Sequence, residues 1–331
     1  MSQVTVSAIL PVYNGLQYLK DSIGSVVSQT LQPMELFLVD DGSTDGSLEY
    51  LESVDTPFPK IVLTQKNKRQ SAARNLAAAQ AKGKYLAFLD HDDIWFPTHL
   101  EKLVAPMEAD AWVGWTYSDL DEIDSMGRQV SQRNLRSFNP QVEHPKTNLM
   151  NMLSSDMFIF PSAAVVRREA FDAIGGFDER LSGYEDDDLF LRLFRAGWLN
   201  VFLPESLIRY RRHATSSSFS ERMWTSREIF AEKLLADYPD DPHLVRYYVR
   251  DIIAPRFYAS AKAEYLRHMP HQRWEQCVMS LALMRRFNQL SRLPLGRTAV
   301  RRAVGFGLMA HPQRFASWYP LVRQLFNLPR L

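Results

Sequence analysis

The chain has 331 residues, 46% of them hydrophobic and 23% charged; this excludes disorder and suggests one large α/β domain with an appendage, or two domains. Its one cysteine, Cys277, excludes an intrachain disulfide and a cysteine-built metal site, and fits a reducing compartment. The formal net charge is +1, but the nine arginines between Cys277 and Leu331 have no lysine or acid beside them, so the tail carries +9 and the first 276 residues −8.

Met1 to Leu10 has no basic leader and meets Pro11 before any long apolar run, and no stretch approaches the roughly 18 apolar residues of a spanning helix. The expectation is a cytoplasmic protein. Val4 to Leu10 reads as a strand that ends in the turn-rich Pro11-Val-Tyr-Asn-Gly15, and Tyr18 to Gln29 follows at helical spacing. The rhythm then repeats: strand 36–39, helix 47–54, strand 61–63, an alanine-rich helix 71–81, and strand 85–89 running into Asp90-His-Asp-Asp93. Such alternation predicts a Rossmann-like, mostly parallel sheet flanked by helices, with ligands gathered beyond the strands' carboxyl ends. Further on come a helix 97–108, a strand 112–117, a mixed stretch 119–161, a strand 163–166, and a helix entered through Tyr184-Glu-Asp-Asp-Asp188. From Arg227 onward the pattern is mainly helical, so the expected division is 1–220 as a catalytic domain and 221–331 as a helical, Arg-rich extension.

Three acidic groups follow or flank strands. In the first, Asp41, Ser43, Asp45, Gly46 and Glu52 match the ligand spacing of an EF-hand calcium loop. The flank Met34-Glu-Leu-Phe-Leu-Val-Asp40 is too short and too continuously apolar for the helix that motif needs, and there is no second copy. In the second, Asp90 and Asp92 can point at one hard cation if their loop curls. In the third, four acids open a helix, where the dipole favours them. A capping role does not explain why three separated groups all sit at strand ends; a site needing a base, a cation and a nucleotide anchor does. No Walker A, dinucleotide-binding or zincin motif occurs in the chain.

In order along residues 4 to 215, the stretches Val6-Ser-Ala-Ile-Leu-Pro-Val-Tyr-Asn14, Leu38-Val-Asp-Asp-Gly-Ser-Thr-Asp45, Ala73-Arg-Asn75, Tyr85-Leu-Ala-Phe-Leu-Asp-His-Asp-Asp93, Gly175-Gly-Phe-Asp178, Glu185-Asp186 and Tyr210-Arg-Arg-His213 resemble the family 2 glycosyltransferases, inverting enzymes of the GT-A fold. The resemblance implies that Pro11, Tyr13 and Asp41 hold the nucleotide base, Arg74 lies near the diphosphate or sugar, and Asp90 lies near the ribose or sugar and the metal. It further implies Asp92 on a Mg²⁺ or Mn²⁺ ion, His213 over the diphosphate or in the metal shell, and Asp186 as catalytic base. Glu185 and Trp95 are expected on the acceptor side. The implied reaction is transfer of a sugar from a nucleoside-diphosphate sugar to a hydroxyl of a glycan or lipid-linked acceptor, as in bacterial cell-surface polysaccharide synthesis. A sugar-nucleotide or calcium-binding module without turnover and a nucleotidyltransferase are the alternatives.

The resemblance does not reach beyond about residue 220. There, nine arginines beside Phe287, Phe306, Phe315 and Trp318 suggest peripheral contact with an anionic membrane surface. They do not segregate to one face between Leu295 and Ala310, which leaves a partner-binding helical subdomain as the other reading. Nucleic acid is not an expected partner, since no RNA- or DNA-binding module surrounds them.

Overall fold

The computed structural model describes residues 4–133, 135, 142–213 and 222–291. The chain divides into two compact units, one reaching to Met152 and resuming over Asp156–Phe230, the other made of Leu153–Ser155 and the chain from Ala231 onward. The division thus falls inside a helix, Arg222–Asp237.

The first unit is built on a nine-stranded sheet. Its parallel half comprises β1 (Val6–Val12), β2 (Glu35–Asp40), β3 (Lys60–Thr64) and β4 (Tyr85–Phe88), in the order β3-β2-β1-β4. The sheet continues from β4 through β8 (Ala164–Arg167), β6 (Val113–Ile123) and β9 (Leu199–Arg211) to β5 (Ile94–Trp95), with β7 (Gln129–Ser131) paired on β6. β4–β8 and β6–β8 are antiparallel, whereas β6–β9 is parallel. Every residue of β1 and β2 is buried, as continuous apolar runs must be when helices cover both faces of a sheet. The helices of this unit include α1 (Leu16–Val27), α2 (Ser47–Ser53), α3 (Arg69–Ala78) and α4 (His99–Ala109), then, after α5 (Leu149–Ser154), which the division cuts, α6 (Arg168–Ala173) and α7 (Glu185–Arg195).

Two features open the sheet where ligands gather. The β1–β4 ladder ends at the pair Ile9 and Phe88, with Leu89 N–H donating to the Ile9 carbonyl at 2.9 Å. Backbone polar groups two residues apart on a strand point the same way, so the nitrogen of Pro11 faces the β4 side after pairing has stopped, and its missing N–H breaks no ladder bond. The chain runs from β1 to β2 and β3 on one side and then crosses back to β4 on the other side of β1, which makes this gap the switch point of the sheet.

β6 and β9 depart from the sequence expectation. The strand expected at 112–117 runs on to Ile123, and β9 occupies a stretch in which Pro204 and Glu205 interrupt the apolar pattern. Register shifts between Ser118 and Asp119 and between Asp119 and Asp121 absorb these interruptions.

In the second unit the helix α8 (Arg222–Asp237) ends, and α9 (Ala254–His268) packs with α10 (Trp274–Leu290), with Phe257 stacked on Phe287 at 5.3 Å. Cys277 is fully buried in this core, which pushes its thiol up to about 11; it acts as a small apolar residue. Arg286 pairs with Glu232 and lies over Phe287. The rest of the Arg-rich tail, from Arg292 onward, lies outside the described residues.

Candidate active site

The loops leaving β1 and β2 are laced together. Asn14 takes a left-handed backbone (φ 49°), which asparagine tolerates better than most residues. Its Oδ1 accepts the Thr44 N–H at 2.8 Å, and its own N–H donates to Ser43 Oγ at 2.9 Å. Asp45 accepts from the N–H of Leu16 and from Ser47. Asp45 of the calcium-like motif is therefore an internal acceptor that shapes a turn, and Tyr13 is 45% exposed.

Asp41 is buried and reaches across to the start of α3. Its Oδ1 accepts from Gln65 Nε2 at 2.8 Å and from Lys68 N–H at 2.7 Å, and its Oδ2 accepts from Arg69 N–H at 2.7 Å. The two backbone donors are N–H groups that a helix start leaves without internal partners. A carboxylate offers about four lone-pair directions; three are filled, and one is left for a further donor such as a base N–H.

α3 carries Arg74 inward, where it is 1% exposed. Its Nη2 meets Asp90 Oδ1 at 2.5 Å, its Nη1 meets Glu185 Oε1 at 3.3 Å, and Phe177 lies 5.2 Å beneath it. Burial acts against the charge of Arg74, yet Asp90 and Glu185 outweigh it and raise its pKa. Gln70, one turn earlier on α3, also donates to Glu185 at 2.5 Å. A buried guanidinium requires counter-charge; Glu185, expected on the acceptor side, is 5% exposed and holds Arg74 and Gln70. Trp95, expected there too, is also buried. It is 2% exposed, stacked on His99 at 4.5 Å, with its indole N–H donated to the Ser162 carbonyl at 2.8 Å; it is a core residue of the β5–β9 pairing.

The acidic loop after β4 divides its carboxylates among different partners. Asp90 faces Arg74, as above. Asp92 Oδ2 lies 2.8 Å from His213 Nε2. Burial would raise the pKa of Asp92, but the His213 hydrogen bond and the nearby imidazoles more than reverse this. Asp93 is buried and accepts the Arg211 N–H at 3.0 Å; burial and its two neighbouring acids hold its pKa well above the ordinary range. Arg211, absent from the sequence expectation, is 2% exposed at the side chain and donates Nε to the Asp92 carbonyl at 2.8 Å, with Tyr18 4.6 Å below. Tyr18 in turn lies 5.3 Å from the His213 ring. His91 rests against the β1 loop, and a Cβ on Gly15 would collide with its ring.

Asp186 opens α7 beside Glu185. Burial first, then Asp187 and Glu185, with a smaller contribution from Asp156, raise its pKa well above the ordinary carboxylate value. That direction suits a proton acceptor. Among the described residues no three His, Cys, Asp or Glu side chains converge as a ready cation shell. A magnesium-type ion needs only one or two carboxylates when substrate phosphates complete its sphere; Asp92 and His213, expected near such an ion, lie 2.8 Å from each other.

The four parallel strands, the switch point at Pro11 and the bonded chain from Asp41 through α3 and Arg74 to Asp90 and Glu185 agree with the GT-A glycosyltransferase class to which the following matches assign the chain. Residues 7–175 match the model of Glycosyl transferase family 2, and the chain belongs to that family. It is 31% identical over 228 residues to the putative glycosyltransferase EpsE of Bacillus subtilis (strain 168), covering 66% of this chain and 77% of that one. It is 30% identical over 247 residues to the glycosyltransferase GlyG of Streptococcus pneumoniae serotype 4, covering 69% and 79%. S. aureus TarS 1–349, solved in complex with UDP-GlcNAc, shares the fold at a TM-score of 0.63 and 19% identity, over 96% of this chain and 92% of that one.

No helix among the described residues is long and apolar enough to cross a membrane.

Proposed function

We propose that the protein is an inverting enzyme that moves a sugar from a nucleoside-diphosphate sugar to a hydroxyl of a glycan or lipid-linked acceptor in bacterial surface-polysaccharide synthesis. The observation that carries this reading is that residues from four separate segments form one bonded set at the carboxyl edge of the sheet. Asp41 caps α3, α3 supplies Arg74, Arg74 holds Asp90 and Glu185, and Asp186 follows directly.

In this reading Tyr13 and the free direction of Asp41 receive the base, with Pro11 flooring it, and Arg74 and Asp90 face the diphosphate and sugar. The acceptor oxygen attacks the anomeric carbon from the face opposite the leaving group. A carbon–oxygen bond forms as the bond to the diphosphate breaks, the leaving nucleoside diphosphate keeps the electron pair, and the hydroxyl proton passes to Asp186. An unaided sugar hydroxyl is too weak an acid to react, and a positioned base contributes typically 10²–10⁴-fold. Asp92 and His213 would hold a Mg²⁺ or Mn²⁺ ion, which would offset charge on the departing diphosphate.

UDP-GlcNAc, the ligand of the TarS complex, is the first donor to try. Asp186→Asn should abolish UDP release while leaving UDP binding within about twofold; an active Asp186→Asn enzyme would remove the base assignment. The Arg-rich tail supports a second element of the proposal, contact with an anionic membrane. Vesicles containing phosphatidylglycerol should pellet the full chain at low salt and not a chain ending at Ser291; equal pelleting of both would rule the tail out.

A further inference from the structure

Tyr184, the residue before Glu185 and Asp186, has a left-handed backbone (φ 62°, ψ 6°) at the N-cap of α7. Such a conformation is unfavourable for a bulky residue and persists only where its surroundings over-determine it. Here the surroundings are the first half of α8. The Tyr184 ring stacks on Phe230 at 5.3 Å and 19°, and Arg227 donates Nε to the Tyr184 hydroxyl at 3.2 Å. Two residues earlier, the Ser182 N–H donates to Ser226 Oγ at 2.9 Å. Between them Gly183 (φ 149°) presses so closely on Met223 that a Cβ there would strike its sulfur. From the other side, Ser71 of α3 donates to the Leu181 carbonyl at 2.9 Å. Ser182, Tyr184, Ser226, Arg227 and Phe230 are all buried. The turn is thus fixed at four consecutive points, far more than a helix start requires.

We infer that Tyr184 is the positioning residue for Asp186: its ring, clamped by the Met223–Phe230 segment of α8, locks the turn that aims the Asp186 carboxylate. This rests on the reading of Asp186 as the base. A glycine would satisfy the left-handed backbone, so what the tyrosine side chain adds at this position is the clamp. The segment 223–230, beyond the part of the chain that resembles the family, becomes part of the catalytic apparatus through the backbone it holds.

The test uses the full chain with UDP-GlcNAc as probe, together with a donor-independent measurement. Tyr184→Phe keeps the stack and should retain most of the wild-type kcat. Tyr184→Gly keeps the backbone conformation and loses the clamp; kcat should fall about 10²-fold, the scale of a misplacement of about 1 Å, with the donor KM within about twofold. Independently of any donor, the Asp ¹³C-carboxyl resonance that disappears in Asp186→Asn should titrate above the ordinary range in wild type and Tyr184→Phe, and move back toward it in Tyr184→Gly. A folded Tyr184→Gly protein with wild-type kcat, or with the Asp186 titration unmoved, overturns the inference. An active Asp186→Asn enzyme overturns the base reading instead, so the two failures are distinguishable.

Discussion

Arg74 and Glu185 stand 111 positions apart in the chain and meet at 3.3 Å, the first on a helix packed under the parallel sheet, the second at the start of another helix. With Asp90 at 2.5 Å on its other amine, Arg74 neutralises two acids that would otherwise be left unpaired. Breaking a buried pair by removing one partner costs about 3–5 kcal/mol. Arg74→Ala should lose roughly that amount in urea denaturation, and Arg74→Lys should recover only part of it, because an ammonium cannot span both carboxylates. A loss below about 1 kcal/mol would show that the cluster is not a structural hub.

His99 gives the fold a pH dependence. Its Nδ1 lies 3.1 Å from the Leu207 carbonyl, which can only accept, so Nδ1 carries the proton and the buried Nε2 has no partner. Burial lowers its pKa from 6.5 to about 3. The unfolded chain takes up a proton near pH 6.5 and the folded chain refuses it until about 3. The stability His99 contributes is therefore complete above pH 6.5 and declines by up to about 1.4 kcal/mol per unit as pH falls toward 3. Denaturation midpoints measured from pH 7 to 4 should fall less steeply in His99→Gln than in wild type.

Trp95 sits in the core above that histidine. Trp95→Ala should cost about 3–5 kcal/mol as a core truncation and leave the KM of any acceptor unchanged in the protein that remains folded. A raised acceptor KM with unchanged stability would restore the acceptor role the sequence suggested.

Asp92→Ala and His213→Ala should each weaken Mn²⁺-dependent UDP binding about 10–100-fold, the range seen when metal sites are disturbed, while binding in EDTA stays the same. Calorimetry with and without Mn²⁺ reads this directly. Identical titrations for wild type and Asp92→Ala would separate Asp92 from the cation.

The raised pKa of Asp186 has a kinetic sign. The base form appears only as pH rises through the elevated value, so kcat should climb with pH along a limb lying above the ordinary carboxylate value of 3.8. A pH–rate profile under saturating donor and acceptor locates it. A profile flat from pH 5 upward would remove the elevated base.

The parallel half of the sheet was legible because β1, β2 and β4 are covered on both faces, and burial of that kind writes itself as short apolar runs closed by Pro, Gly and Asp. Asp41, Asp90 and Asp186 stand out along the chain as loop or helix-start residues, and Arg74 as the middle of Ala73-Arg-Asn75 inside α3. Their partners do not. Glu185 looked like an acceptor residue because adjacency to Asp186 is visible along the chain, whereas a salt bridge to Arg74 is visible only in space. β6 was read short since Ser118, Asp119, Asp121 and Glu122 are polar yet buried, each compensated by hydrogen bonds that leave no periodic trace. Arg211 gave one overlooked signal, its place within Tyr210-Arg-Arg-His213, where only the histidine was credited with a task.

Gly15 and His91 share one small volume between the first and fourth strand loops. A side chain at position 15 would therefore displace the His91 ring, so substitutions at the two positions are coupled and their effects should not add.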